Sequence, residues 1–369
     1  MKIRIYFAVL AIVLSAQPAY PDISYDQHIK VEAAGGMSLL ASEGDIVTLL
    51  SADKSRTESS ITMKSKLAGM FAGSGKSGNI VRLDKSLTWT LLPDAQQYSE
   101  MTFAQVKAQM DQARQAMQDA QASGQTGGAL PVSAAGCQWT EGEVHVEHPT
   151  GTEEIAGLAT QQHIIRMQQS CTDPKTAKTC DITLQMETWL ARNVPGEQEV
   201  TKFAQAYAEA LGLGDVMRQV QGPGQSLLAM FATNWEGVVD EFKKLQGYPL
   251  RTVMQMDIGG AQCTTAAGQP IAQDGGWADA STGVAGAALG QAVGESLGGS
   301  LAGSVGGALI GGLSGMLKQS APEPAAQAPP ANAADGQVTV FRITTEVTRW
   351  SEAPIPREHF DIPLGWKKL

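Results

Sequence analysis

Three short stretches bring together residue types that could do chemistry. Gly73-Ser74-Gly75-Lys76-Ser77 carries the closing residues of a phosphate-binding loop, in which glycine amides cradle phosphate oxygens and a lysine offsets their charge. The G-x-x-x-x-G-K-S spacing needs a glycine where Met70 stands, and Gly69 comes one residue early. The stretch therefore reads as a glycine-rich hairpin turn. Ser51-Ala52-Asp53-Lys54 has the S-x-x-K spacing of a serine nucleophile beside a lysine, but no S-D-N or K-T-G partner follows and the setting is strand-like. Glu143, His145 and Glu147 alternate with Val144 and Val146, which puts three polar groups on one strand face. His145 with its flanking carboxylates would begin a metal site, yet a further ligand would have to come from elsewhere. Alternation with valine is also how a half-buried strand with a solvated outer face looks. His148 falls on the opposite face, and His28, His163 and His359 stand alone. No Ser/His/Asp set emerges, so the sequence predicts neither a catalytic residue nor a cofactor nor a metal, and the chain reads as a non-enzyme.

The four cysteines, Cys137, Cys171, Cys180 and Cys263, lack the C-x-x-C or Cys/His spacing of a zinc site. Their even number suits disulfides in an oxidising compartment. Cys171 and Cys180 bracket TDPKTAKT, whose Asp173-Pro174 marks a turn between two strand-like runs. The expected bridges are Cys171–Cys180 across that hairpin and Cys137–Cys263. The compartment argument starts at the N-terminus. Lys2 and Arg4 precede an apolar run from Ile5 to Leu14, too short to span a bilayer, and small residues at Ala16 and Ala19 offer a cleavage zone. Residues 1–19 read as a signal peptide, and the mature protein as periplasmic or secreted. A formal net charge of −10 argues against a nucleic-acid partner, which would require a basic stripe.

The elements that position these residues are legible from period. From Ser24 to Met101 the pattern is strand-like, with Ile46 to Leu50, Ile80 to Leu83 and Leu87 to Leu92 separated by glycine and by Pro93-Asp94. Over Thr102 to Ala122 the period becomes three and four, with Phe103, Val106, Met110, Ala113 and Met117 on one face and Thr102 as cap. Strands resume over Glu143 to Val146, Thr160 to Met167 and Ile182 to Leu190. Two further helices are expected at Glu197 to Leu211 and Leu227 to Leu245, and two last strands at Leu250 to Ile258 and Val338 to Trp350. This alternation of classes predicts an α+β fold, an antiparallel sheet with helices on one side.

Four runs then suggest a family: Ser55-Arg56-Thr57-Glu58, Ile80-Val81-Arg82-Leu83-Asp84, Trp89-Thr90-Leu91-Leu92-Pro93 and Tyr98-Ser99-Glu100-Met101. With Ile155-Ala156-Gly157-Leu158-Ala159, Gly247-Tyr248-Pro249-Leu250 and the ending Phe360 to Trp366, they resemble the LolA/LppX-like half-barrel proteins. The likeness is greatest to the DUF4412-type envelope proteins. The resemblance implies a curved antiparallel β half-barrel covered by helices around an apolar concavity, split between residues 20–274 and 337–369. An incompletely closed sheet leaves an inner apolar face that helices must cover or a ligand must fill. Trp89, Leu91, Met186, Trp189, Met254 and Met256 are its candidate lining, and a lipid or other apolar small molecule its expected partner.

Between the two parts lies a segment of another texture. Residues 275–319 are glycine-rich, and 320–336 form an Ala/Pro linker. Gly299, Gly303, Gly307, Gly311 and Gly315 recur at every fourth position, which in a helix stacks them along one ridge and lets another backbone approach closely. Each glycine costs a helix about 0.8–1 kcal/mol relative to alanine, so such a helix needs a partner ridge. This predicts a glycine-zipper-like insertion, helical or disordered. Membrane contact or self-association through residues 283–317 is the alternative function.

Overall fold

The computed structural model describes residues 22–33, 41–65, 75–122, 138–140, 142–149, 151–177, 179–213, 245–260, 263 and 337–369, and the structural statements below concern those residues alone. In the first strand, β1 (Ile23–Ala33), Ile23, Tyr25, Ile29 and Val31 are buried while Ser24, Asp26, His28 and Lys30 alternate with them on the other face. That period of two turns an apolar/polar sequence into a sheet with one buried side. The chain continues through β2 (Ser42–Ser51), β3 (Lys54–Met63), β4 (Lys76–Arg82), β5 (Leu87–Leu92) and β6 (Gln97–Thr102) as an antiparallel meander. Gly44 in β2 permits a close approach to β3, since a Cβ there would lie 2.2 Å from the Ser60 carbonyl oxygen.

The second half is built on long strands edged by three short ones. β7 (Gln138–Trp139), β8 (Glu143–Glu147) and β9 (Thr152–Ile155) all pair with β10 (Leu158–Thr172). Ala156 and Gly157, with φ of 51° and 78°, form the two-residue turn joining β9 to β10, the geometry that suits the right-handed twist of a hairpin. β10 pairs with β11 (Thr179–Ala191), β11 with β12 (Tyr248–Gly259), and β12 with β13 (Gln337–Ser351). β13 also pairs with β1, so it is the seam between the halves. The short β14 (Lys367–Lys368) adds to the β6 edge in parallel, whereas the other pairs are antiparallel. The resulting 14-stranded sheet has its ends at β14 and β7, which do not meet, so it is open and not a closed barrel.

Two α-helices accompany it among the described residues. α1 (Phe103–Ala122) starts with a reciprocal cap: Gln105 N–H donates to Thr102 Oγ1, and the Gln105 side-chain oxygen accepts the Thr102 N–H at 2.8 Å. α2 (Glu197–Ala210) buries Phe203 and Tyr207. Together with Phe103, Leu211 and Val194 these pack on Ile23, Tyr25, Leu50 and Val81. Each such large side chain, fully buried, contributes about 1.5–3 kcal/mol relative to exposure. The α+β class and the placement of these helices agree with the sequence. The expected helix over 227–245, apart from Leu245, lies outside the described residues, as do the signal peptide at 1–19 and the segments 275–319 and 320–336.

Candidate functional site

The six expected lining residues do not share one surface. Met186, Met254 and Met256 do: Met186 lies across from Met254, Met254 from Ile343, and Met256 from both Leu184 and Phe341. Met167, across from Leu184, joins them. The four methionines, with Ile29, Ile46, Ile165, Ile182 and Ile343, form one buried apolar cluster that runs across six neighbouring strands, from β2 through β1, β13, β12 and β11 to β10. Among the described residues neither α1 nor α2 contributes to it, since both pack on the neighbouring cluster; Leu245 packs at its margin.

Trp89 and Leu91 leave the sheet on its opposite side. They pair with Ile80 and Gly78, while Val81, one residue on, points into the helix-covered cluster. Ile80, Trp89 and Leu91 make a small cluster of their own against Ile362 and Trp366 of the C-terminal segment. Trp89 Nε1 donates to Glu100 at 2.8 Å, and Lys85 stands 5.1 Å above its ring. By strand alternation Trp189 also projects away from Met186, at a bulge between Trp189 and Leu190. The Arg251 guanidinium sits over its ring at 5.0 Å and is held by Glu346 at 2.6 Å and Glu153 at 2.7 Å. Trp189 packs against the helix-covered cluster, so none of the three residues belongs to the methionine cluster.

The cysteines also correct the sequence reading. Cys171 and Cys180 are direct cross-strand partners, yet Cys180 is bonded to Cys263, whose Cα lies 4.7 Å away, and Cys171 is itself disulfide-bonded. Side chains of opposed strand residues rise parallel to one another with Cβ atoms about 4.5–5.5 Å apart, wider than the roughly 3.8 Å a disulfide favours. Cys263 follows a turn at Gly260 that folds the end of β12 back over Cys180. Both expected bridges, Cys171–Cys180 and Cys137–Cys263, are therefore overturned. Cys137 lies outside the described residues.

The remaining chemistry-bearing stretches resolve as turns and solvated faces. Ser51 and Lys54 close the β2–β3 hairpin as register partners. Gly75, at φ 70°, gives its carbonyl to Ile61 N–H beside the start of β4, and Gly73 and Ser74 lie outside the described residues. Glu143, His145 and Glu147 are exposed while Val144 and Val146 pack against the methionine cluster; His145 reaches only Glu143, at 3.4 Å. Among the described residues no group of three or more His, Cys, Asp or Glu is placed to hold a metal, and no helix is long and apolar enough to cross a membrane. Gly299, Gly303, Gly307, Gly311 and Gly315 fall outside those residues.

Two histidines read as isolated have partners. His28 Nδ1 lies 2.8 Å from Asp45 and its Nε2 3.3 Å from Glu43. The hydrogen bond to Asp45 pushes its pKa above the usual imidazole value. His148 and His163 meet with their Nδ1 atoms 2.9 Å apart and their rings nearly perpendicular, at 82°. The β8–β10 register explains the meeting. Glu147 pairs with Ile164, so the next step outward sets His148 beside His163. Burial, together with His148 and Arg192 nearby, holds the His163 pKa below the usual value. Compared with protein-family models, curated proteins and solved structures, the chain matches none.

Proposed function

We propose that the protein is a non-catalytic binder of a lipid or other apolar small molecule, exported to the cell envelope, which takes its ligand on the methionine face of the sheet. One observation carries the reading: Met167, Met186, Met254 and Met256 lie contiguously across β10, β11 and β12, with Ile343 and Phe341 of β13 beside them. Methionine is unbranched and polarizable, so a face rich in it adapts to ligands of irregular shape. The motifs that resemble LolA/LppX-like half-barrels support the same use, with an open sheet curving around an apolar concavity. The lining narrows to the methionines, because Trp89 and Leu91 belong to a cluster on the other side and Trp189 packs against the helix-covered cluster. These side chains are buried, so ligand entry requires the surrounding chain to yield. Export rests on the N-terminal charged and apolar run and on disulfide bonding. The glycine-ridge alternative rests on residues outside those described, and no structural observation favours it.

Native mass spectrometry of the full chain, purified from an envelope fraction, tests the reading, with N-phenyl-naphthylamine fluorescence as an apolar probe. Bound lipid or saturable probe binding is expected, and Met254→Glu abolishes it. Because a buried carboxylate risks unfolding the sheet, the volume-conserving pair Met186→Leu and Met254→Leu serves as second arm; it should keep the fold and change affinity severalfold. A folded protein that carries no lipid and takes up no probe rejects the proposal.

A further inference from the structure

We infer that residues 357–369 form an exchangeable arm, and that the groove they fill on β3–β6 also receives the same arm from a second copy of the chain, giving a two-fold arm-exchanged dimer. The segment is held as a bound peptide is held. The backbone bonds it makes with itself are local turns: His359 N–H donates to the Pro356 carbonyl, Asp361 N–H to Glu358 and Trp366 N–H to Pro363. The contacts that fix it in place come from the sheet. Arg56 donates to the His359 carbonyl at 2.9 Å, and Arg82 to that of Phe360 at 3.3 Å. Phe360 is buried, and Ile362 and Trp366 pack on Ile80, Trp89 and Leu91. Lys367 and Leu369 donate their N–H groups to the Gln96 and Tyr98 carbonyls, so the arm ends as a strand added to the β6 edge.

Three observations make a second copy the occupant in trans. The arm crosses the strands instead of following them, from the end of β13 over β1 and β2 to β3. Three strand spacings cover about 14–15 Å, whereas the chain from Glu352 to His359 reaches about 23–25 Å when extended. The hinge therefore has slack, and Pro354 and Pro356 bias it and the residues before them toward extended backbone. Next, a second copy offers the same groove and the same arm, so exchange keeps each arm contact and costs only association entropy. A short tether gives the arm an effective concentration of about a millimolar, which concentrated protein can match. Last, apolar surface gathers here. Leu364 is fully exposed, Leu369 is 66% exposed and Leu92 is 39% exposed, and these are the large apolar side chains left in water among the described residues. Two lie in the arm. Leu92 stands at its landing site, across from Gln97, which pairs with Lys367. Such a gathering marks an interaction surface, and two arms crossing at this corner would cover it. This inference does not rest on the apolar-ligand reading, which concerns other residues.

The test exploits the contact between Lys368 Nζ and Glu100 Oε1, at 2.7 Å, which a carbodiimide can join as an amide without a spacer. Equal pools of unlabelled and nitrogen-15 full chain are mixed at about a millimolar, the effective concentration of the tether. They are held in urea just below the unfolding transition, returned to buffer, cross-linked and separated by size. The expected result is a dimer fraction that grows with protein concentration. In that fraction about half of the Lys368–Glu100 links should join chains of different isotope, as random two-fold pairing requires. Monomer links should join one isotope only. A synthetic peptide of residues 355–369 in tenfold excess should reduce the mixed links severalfold and be linked to Glu100 itself. Absence of dimer at that concentration, or a dimer whose Lys368–Glu100 links stay within one isotope, overturns the inference.

Discussion

The Arg82 guanidinium donates to the Asp361 carboxylate at 2.7 Å, tying β4 to a segment 279 residues further along the chain. The same side chain gives two bonds to Asp84, at 2.8 and 2.7 Å, and reaches the Phe360 carbonyl oxygen at 3.3 Å. It is only 6% exposed. Arg56 adds a bond to the carbonyl of His359, and Lys368 pairs with Glu100. The C-terminal residues are thus strapped over Ile80, Trp89 and Leu91, which would otherwise be an apolar patch on the outer side of the sheet.

Removing the strap's buried cation should be costlier than removing its exposed partner. Arg82→Met leaves Asp84 and the Phe360 carbonyl without their donor and should lower stability by about 2–3 kcal/mol. Asp361 is 58% exposed on its side chain, and Asp361→Asn should cost about 1 kcal/mol or less. Urea melts give both values. Tryptophan emission should shift to the red in Arg82→Met as Trp89 gains water. Equal losses in the two variants would contradict the account.

Acid should release this strap. The Arg82 hydrogen bond holds the Asp84 carboxyl below its ordinary value, and Lys368, then Trp89, do the same for Glu100. Carboxylates depressed in the folded state add stability above the unfolded value, near 4, and lose it as pH falls through the folded pKa. Limited proteolysis within residues 352–369 should therefore rise sharply below about pH 4. The histidines give opposite slopes. His28 is raised by Asp45, so its contribution is full below the unfolded value of about 6.5 and disappears as pH rises through the folded pKa. His163 is lowered, so the unfolded chain takes the proton first and stability falls as pH drops through that same value. Comparing melting temperatures of His28→Ala and His163→Ala from pH 5 to 8 should show differences from wild type with opposite trends.

How much of this was legible follows from the range of each signal. Alternation is local, so Tyr25 to Val31, Leu87 to Leu92 and Leu250 to Ile258 declare themselves as strands, whereas the short β9 and its turn at Ala156-Gly157 do not. Period also relates residues within one strand, but not across strands. Trp89 and Met254 are both apolar at alternating positions, and only the pairing order reveals that they face opposite sides. The sheet carries apolar clusters on both sides, which the assumption of a single inner face missed. The histidine pair required the β8–β10 register, and Cys263 required knowing where the chain turns after Gly259. Sequence proximity favoured Cys171–Cys180 for the hairpin, where strand geometry opposes it.

Unreduced peptide mapping should recover Cys180 linked to Cys263, with Cys171 linked to the one cysteine left, Cys137. The 180–263 bridge spans 83 residues, and in the chain-entropy picture a loop of that size contributes about 4–5 kcal/mol. Cys180→Ser with Cys263→Ser should lower stability by up to that amount and leave the 171 bridge intact. A peptide joining 171 to 180 would reject the assignment.

The last prediction concerns the long connection between β12 and β13. Gly259 and Gln337 are direct register partners, so the chain leaves and re-enters the sheet at one place. Among the described residues β13 is also the one strand that joins the two halves, pairing with β12 on one side and β1 on the other. Its position is therefore set by two ladders of hydrogen bonds and by Phe341, Ile343 and Val347, which are all buried, and not by the connection itself. Deleting residues 278–334 keeps Cys263 and leaves a shorter loop across the same gap. Loop closure scales weakly with length, so shortening should stabilise the fold by about 1 kcal/mol if the removed residues make no contacts. The deletion variant should unfold cooperatively with a transition midpoint at or slightly above that of the full chain. A large loss of stability would show that residues 278–334 pack on the sheet. In that case repeating the apolar-probe titration on the variant separates the two roles: stronger probe binding would mean that the deleted residues occupy the methionine face in the intact chain.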